Sequence, residues 1–307
     1  MPLRFTACGE GTVNSNIVPA PDGTDGSCRR RTELDMKKIL LAVAPVDPAD
    51  SLNNPKAIAR DVFDCYKLGA GLVHLHCRDL NNNLTPDLEI LRETVDYIRS
   101  MCDIVIEIST GGVSNLTIEE RCTPCYPDWV EANSLNVGSV NLGDAVYQNP
   151  IRDVRYCVDK IVSNHKLPET ELFELGMANT LRELDEMFHI PKPLLIALVF
   201  GHPGEMPATV PALKHMIQGV YDNFASEDVV WGYTEAHRTD WTMVSNALDL
   251  GAGAMRIGFE DSHYIAPGQE VKTNAELIAK AADLVKSKGF GLMTPDDVRK
   301  TFGIRRR

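Results

Sequence analysis

No stretch of 18 consecutive apolar residues occurs in this 307-residue sequence, and no basic-then-apolar leader with a small-residue cleavage site opens it. Neither a membrane span nor a secretory signal is indicated, so a cytoplasmic address is the expectation. Walker loops and nucleophile elbows are missing too. Gly9-Glu-Gly11 and Gly251-Ala-Gly253 lack the third glycine and the strand-to-helix setting of a dinucleotide fingerprint, and read as tight turns. A basic face is lacking as well: the formal charge is -12, which argues against nucleic acid as a partner. The clusters Arg29-Arg30-Arg31 and Arg305-Arg306-Arg307 read as solvated ends or subunit salt bridges. Eight scattered cysteines without a secretory context read as reduced thiols. Cys122 and Cys125 have CxxC spacing, but no second pair follows at zinc-finger distance, so a loop dithiol without function is expected.

What is present is an ordinary globular composition, 44% hydrophobic and 24% charged. Residues 1–37, rich in Gly, Pro, Ser, Asn and Asp, show no periodicity and predict an irregular arm. From Lys38 to residue 307, apolar runs alternate with stretches of helical period. Strands are predicted near 38–44, 71–76, 104–109, 130–136, 170–175, 194–200, 228–234 and 254–259. Helices are predicted over 55–68, 86–101, 151–165, 178–189, 209–222, 237–250 and 274–287, with 113–129 the least regular segment. Eight βα units point to a single TIM (β/α)8 barrel domain, with an open doubly wound sheet as the alternative.

Polar residues gather where a barrel enzyme would place its chemistry, at the predicted carboxyl ends of strands. The second strand ends in His74 and His76, the third runs into Ser109-Thr110-Gly111-Gly112, the fourth carries Ser134 and Asn136, and the eighth ends Arg256-Ile-Gly-Phe-Glu260-Asp261. Residues two apart share a strand face, so both imidazoles point inward, a bidentate metal site that needs a third ligand. Glu260, across the same mouth, is the best candidate; two imidazoles and a carboxylate suit Zn²⁺, with Fe²⁺ and Mn²⁺ also possible. Arg256 and Asp261 are five apart, so a bend must bring them together. A carboxylate there can act as a base beside a carbonyl that the metal polarises. The Ser109–Gly112 turn offers donors suited to a carboxylate or phosphate. His202, in Phe200-Gly-His-Pro-Gly204, lies on the same face.

With HLHCRD, EISTGG, SLNVGSVNLGD, PETELFELGM and RIGFED in order, the chain resembles the β-keto acid cleavage enzymes from about Lys38 onward. The resemblance implies a Zn²⁺-dependent TIM barrel, one zinc per subunit, that forms homo-oligomers (dimers or tetramers) and exchanges groups between a β-keto acid and acetyl-CoA to give acetoacetate and a new acyl-CoA. It implies His74, His76 and Glu260 as ligands, Asp261 as the base paired with Arg256, Ser109 and Ser134 as hydroxyls for the substrate carboxylate, and Glu171 as an acidic residue of the pocket. Ala44-Pro-Val-Asp47-Pro48 and Thr234-Glu235 depart from the family pattern. Glu235, with Asp47, Glu171 and Asp261, predicts a negative pocket and a cationic tail, and Tyr233 and Trp231 would add cation–π attraction if they face inward. A competing class is the amidohydrolase type of metal-dependent hydrolase, which places its HxH pair on the first strand.

Overall fold

A computed structural model describes residues 36–306 of the protein. The arm expected over 1–37, and with it Arg29, Arg30 and Arg31, lies almost wholly outside the described residues. Eight parallel strands form the barrel: β1 Lys38–Val43, β2 Leu72–Leu75, β3 Val105–Ser109, β4 Ala132–Asn136, β5 Leu167–Leu172, β6 Leu194–Phe200, β7 Val229–Glu235 and β8 Ala254–Ile257. Pairing of β8 with β1, from Leu40 opposite Ala254 to Val43 opposite Ile257, closes the sheet and excludes the open alternative. Between the strands run α1 Pro55–Lys67, α2 Glu89–Met101, α3 Ile118–Arg121, α4 Ile151–Ser163, α5 Gly176–Phe188, α6 Val210–Tyr221, α7 Thr242–Asp249 and α8 Asn274–Ser287, with α9 Pro295–Phe302 after them.

Strand parity explains where the site sits. At the amino ends the inward residues are Leu40, Leu72, Val105, Ala132, Leu167, Leu195 and Ala254, an apolar cluster sealed below by Val298 and Phe302 of α9. Two residues further along five of these strands the same face carries His74, Glu107, Ser134, Glu169 and Arg256. Alternate positions therefore change from a packed apolar floor to a polar layer as the strands approach their carboxyl ends. The opposite parity, including Val73, Leu75, Ile106, Ile108, Ile196 and Leu198, packs outward in the main core.

The fifth strand begins three residues earlier than the sequence predicts. Leu172, Phe173 and Leu175 pull the apolar reading toward the carboxyl side, yet Leu175 is exposed and the strand instead carries buried Glu169 and Glu171. The seventh helix is shorter than predicted because residues 236–241 form a loop, and Asp240 accepts from the Thr242 amide where α7 begins. Within 113–129, α3 is held by a capping box between Thr117 and Glu120. Cys122 and Cys125 are buried free thiols. Two hairpins, Val140–Leu142 with Ala145–Tyr147 and Tyr264–Ala266 with Gln269–Glu270, were not legible in the apolar pattern.

Beneath the floor Arg299 of α9 donates to Glu131 at 2.6 and 3.2 Å and to Asp103 at 2.8 Å. Arg99 also pairs with Glu131, whose side chain is fully buried. Removing one partner of a buried ion pair strands the other charge, at about 3–5 kcal/mol. Since Arg99 remains, Arg299→Ala is expected near the lower end, about 3 kcal/mol by denaturant midpoint, and a loss under about 1 kcal/mol would class the network with weak surface pairs.

Candidate active site

His74 lies in β2, and His76 follows just past its end on the same face. Their Nε2 atoms are 3.3 Å apart. Glu260 Oε1 lies 3.3 Å from His76 Nε2 and 3.6 Å from His74 Nε2. Tetrahedral coordination at about 2.1 Å separates donors by about 3.4 Å, so the three atoms have the spacing of a shared ion's ligands. The far side of each ring supports this. His76 Nδ1 meets the Gly111 carbonyl at 3.1 Å; a carbonyl only accepts, so Nδ1 carries the hydrogen and Nε2 offers a lone pair. His74 Nδ1 meets Glu107 Oε1 at 2.8 Å, the carboxylate–histidine support common behind metal ligands. Burial outweighs Glu260's charge and keeps His76 below the ordinary imidazole range, toward the neutral form that ligates.

A second donor group, His74, Glu107 and Glu169, lies deeper. There His74 Nδ1 is already bonded to Glu107, and burial pushes Glu107 up to about 8 and Glu169 well above the carboxylate range. Two carboxyls in contact in a sealed interior share a proton and make poor ligands. The upper group is therefore the one that fits a metal. Glu107 is the functional residue that hydrophobic reading passed over; its signal was a carboxylate at inward parity in Val105–Ser109, opposite His74 in register.

The bend expected between Arg256 and Asp261 exists. After β8 the chain turns at Gly258, where a Cβ would lie 2.0 Å from the Ala44 carbonyl oxygen, so only glycine fits. The Asp261 and Ser262 amides both donate to the Gly258 carbonyl. Glu260 and Asp261 thereby both line the cavity. Arg256 Nε and Nη2 donate to Asp261 at 3.1 and 2.7 Å, and Nη1 donates to Glu171 at 3.0 Å. Burial works against its charge, but Asp261, Glu260 and Glu171 overcome it and hold Arg256 well above its ordinary range.

These groups open onto a cavity of about 860 Å³ at the carboxyl mouth. Ser109 lines it, and the Ser134 hydroxyl donates to Ser109 Oγ from behind at 3.1 Å. Other expected contacts are engaged elsewhere. The Thr110 hydroxyl donates to the Ser134 carbonyl, and the Gly111 amide to Ser109 Oγ. Asn136 is buried, accepts from the Gly138 amide and does not line the cavity. The acidic tail site is corrected most: Glu235 lies at outward parity, accepts from the Tyr233 hydroxyl at 2.9 Å and is absent from the main cavity wall. Tyr233 and Trp231 share that outward parity, with Trp231 donating to Tyr221 of α6. Asp47 pairs with His263 at 2.7 Å. Leu84, Leu116, Leu142 and Phe173 line the wall instead. Asp79 braces the loop after β2 by accepting from the Asn81 and Asn83 amides, while Arg78 lines the cavity.

Polar groups confined to the carboxyl ends of parallel barrel strands define a (β/α)8 enzyme, and the donor set is of a kind that holds a divalent metal. Comparison of the sequence with known proteins assigns it more closely. The chain belongs to the beta-keto acid cleavage enzyme family, whose model matches residues 53–304. It is 30% identical over 253 residues to a 3-keto-5-aminohexanoate cleavage enzyme of Fusobacterium nucleatum, covering 81% of this chain and 89% of that one. A 3-dehydrocarnitine:acetyl-CoA trimethylamine transferase of Rhizobium meliloti is 29% identical, covering 82% and 90%. A 3,5-dioxohexanoate:acetyl-CoA acetone transferase of Paraburkholderia graminis is 25% identical, covering 88% and 96%. The solved structure of ObcA in a ternary complex shares the fold with a TM-score of 0.69 at 18% identity; it matches 81% of this chain, which spans 66% of that one. The hydrolase alternative finds no support in the family match, and the histidine pair stands at the carboxyl end of β2 rather than of β1. Among the described residues, no helix is long and apolar enough to cross a membrane.

Proposed function

We propose that the protein exchanges groups between a β-keto acid and acetyl-CoA, releasing acetoacetate and a new acyl-CoA, with Zn²⁺ held by His74, His76 and Glu260. The observation that carries this reading is the convergence of those three donor atoms beside the Arg256–Asp261 fork, in a chain whose relatives are named as acetyl-CoA transferases or keto acid cleavage enzymes. Two neutral nitrogens and one carboxylate leave open positions on the ion. When bound, the ion supplies a Lewis acid that polarises a substrate carbonyl.

The chain's own groups do the rest. The Ser109 hydroxyl, backed by Ser134, receives the substrate carboxylate at the cavity wall. Asp261, oriented by two bonds from Arg256, removes a proton from C2 of the keto acid. The carbanion electron pair forms a bond to the acetyl carbon, and the thioester C–S bond breaks toward sulfur. Sulfur then adds to the original keto carbon, and the bond between that carbon and C2 breaks. Asp261 returns its proton to C2, giving acetoacetate, so no proton or electron is left over. Arg256 holds Asp261 in place with two bonds, and Glu171 occupies the third guanidinium nitrogen so that the fork cannot rotate away.

A screen of β-keto acids with uncharged, cationic and anionic tails, each with acetyl-CoA and assayed for acetoacetate, tests the reading. Acetoacetate formed only when both substrates are present supports it, and its absence across the panel overturns it. With Leu84, Leu116, Leu142 and Phe173 on the wall and Glu235 outside it, an uncharged tail is expected to outrank a cationic one.

Glu107 gives a separate test of the metal assignment. Glu107→Gln replaces the carboxyl group that supports His74 Nδ1, and outer-shell changes of this kind cost about 10–100-fold in metal affinity. Competition for Zn²⁺ against a chelator is expected to show that loss in folded protein. Unchanged affinity would mean that His74 is not a ligand.

A further inference from the structure

His202 sits in the loop after β6, and its ring lines the cavity shared by Asp261, Arg256 and Glu260. Its Nδ1 lies 3.0 Å from Glu205 Oε1, and its backbone amide donates to the same oxygen at 2.8 Å. The Glu205 side chain is fully buried, so the carboxylate faces the imidazole rather than solvent. A carboxylate acceptor fixes the hydrogen on Nδ1 and leaves Nε2 as the working nitrogen. Among the described residues Nε2 has no hydrogen-bond partner, and it is not one of the sealed polar atoms, so it is open in a ring whose residue lines the cavity.

The loop is built to hold this ring still. Gly201 has φ +101°, and a Cβ there would lie 2.4 Å from the Ala236 carbonyl oxygen. The Pro203 carbonyl accepts from the Gly143 amide, tying the loop to the hairpin that carries Leu142 into the cavity. Phe173 packs against the imidazole at 6.2 Å and His237 meets it edge-on at 5.8 Å. The His237 amide in turn donates to the Asp261 carbonyl. An imidazole oriented by a carboxylate, with its far nitrogen open, is the arrangement of a general acid–base group.

The reaction proposed above gives Asp261 the carbon acid but assigns no group to the sulfur. We propose that His202, positioned by Glu205, is the acid–base residue for the sulfur of acetyl-CoA; this rests on the reading of the site as an acetyl-CoA-dependent one. The ring enters this step as the imidazolium, with hydrogens on both nitrogens and Nδ1 held by Glu205; as the acetyl C–S bond breaks, its electron pair goes to sulfur and the Nε2 proton passes to it, leaving a thiol and a neutral ring. In the second half, Nε2 takes the thiol proton back as sulfur bonds to the keto carbon. The cycle is proton-neutral and needs no further reactant.

The two proton transfers can be read apart. Exchange of the C2 hydrogens of the keto acid into deuterated water, without acetyl-CoA, reports Asp261 alone; acetoacetate formation reports both groups. With the zinc-loaded enzyme and the β-keto acid ranked first in the screen, His202→Gln is expected to keep C2 exchange within about twofold. Its acetoacetate kcat is expected to fall about 100- to 10,000-fold, with KM for acetyl-CoA little changed. Glu205→Gln, a change to a positioning residue, is expected to show the same split with a smaller loss, and added imidazole to restore part of the activity of His202→Ala. Parallel loss of exchange and transfer, a loss confined to KM, or a transfer rate near wild type would each overturn the assignment to sulfur. A wild-type enzyme that forms no acetoacetate would instead overturn the functional reading, and this proposal with it.

Discussion

Asp261→Asn is expected to slow C2 exchange of the keto acid by about 100- to 10,000-fold, the range for loss of a positioned general base, and to slow acetoacetate formation with it. Asparagine keeps the shape of the side chain and one acceptor oxygen for Arg256 Nη2, but it cannot take a proton from carbon. Metal content should not change, because Asp261 is not one of the three converging donors. Exchange within about tenfold of wild type would leave Asp261 as a structural partner of Arg256 and move the base elsewhere. Glu171 would then be the next group to test, since it lines the same cavity and shares the same guanidinium.

The second large effect concerns the ligands. His74→Ala and His76→Ala are each expected to purify folded but short of metal, and to lose more activity than the 10–100-fold ascribed to an outer-shell change, taken as an approximate floor. Neither ring is part of the apolar floor, which Leu40, Leu72 and Val105 pack below them, so the barrel keeps its core without them. Metal analysis beside circular dichroism checks this directly. Stoichiometric zinc in the double variant would remove the histidines from the assignment, whatever the activity showed.

Much of this arrangement is legible in the sequence because barrel strands obey a two-residue period. His74 and His76 at one parity, and the closeness of first and eighth strands in a closed barrel, are enough to bring Glu260 into consideration from 184 positions away. The bend at Gly258 is legible for the same reason: five residues cannot place Arg256 and Asp261 side by side on a straight strand. Glu107 and Glu169 were harder to read, because a buried carboxylate breaks the apolar pattern that marks a strand, and in β5 it shifted the predicted boundary. Glu235 failed for a different reason. Its position after a strand suggested the mouth, but its odd parity with Tyr233 and Trp231 sends it outward, away from Gly232 and Thr234. The loop contributions of Arg78, Leu142 and His202 depend on chain paths with no period, and only His202 could be flagged, by its place after β6.

Acetyl-CoA labelled in both acetyl carbons, mixed with unlabelled β-keto acid and the zinc-loaded enzyme, provides the most direct measurement. Carbon–carbon bond formation by the C2 carbanion, followed by cleavage next to the original keto carbon, places the intact labelled acetyl unit in acetoacetate and leaves the new acyl-CoA unlabelled. Label recovered as free acetate, or retained on CoA after all the keto acid has reacted, would contradict the exchange.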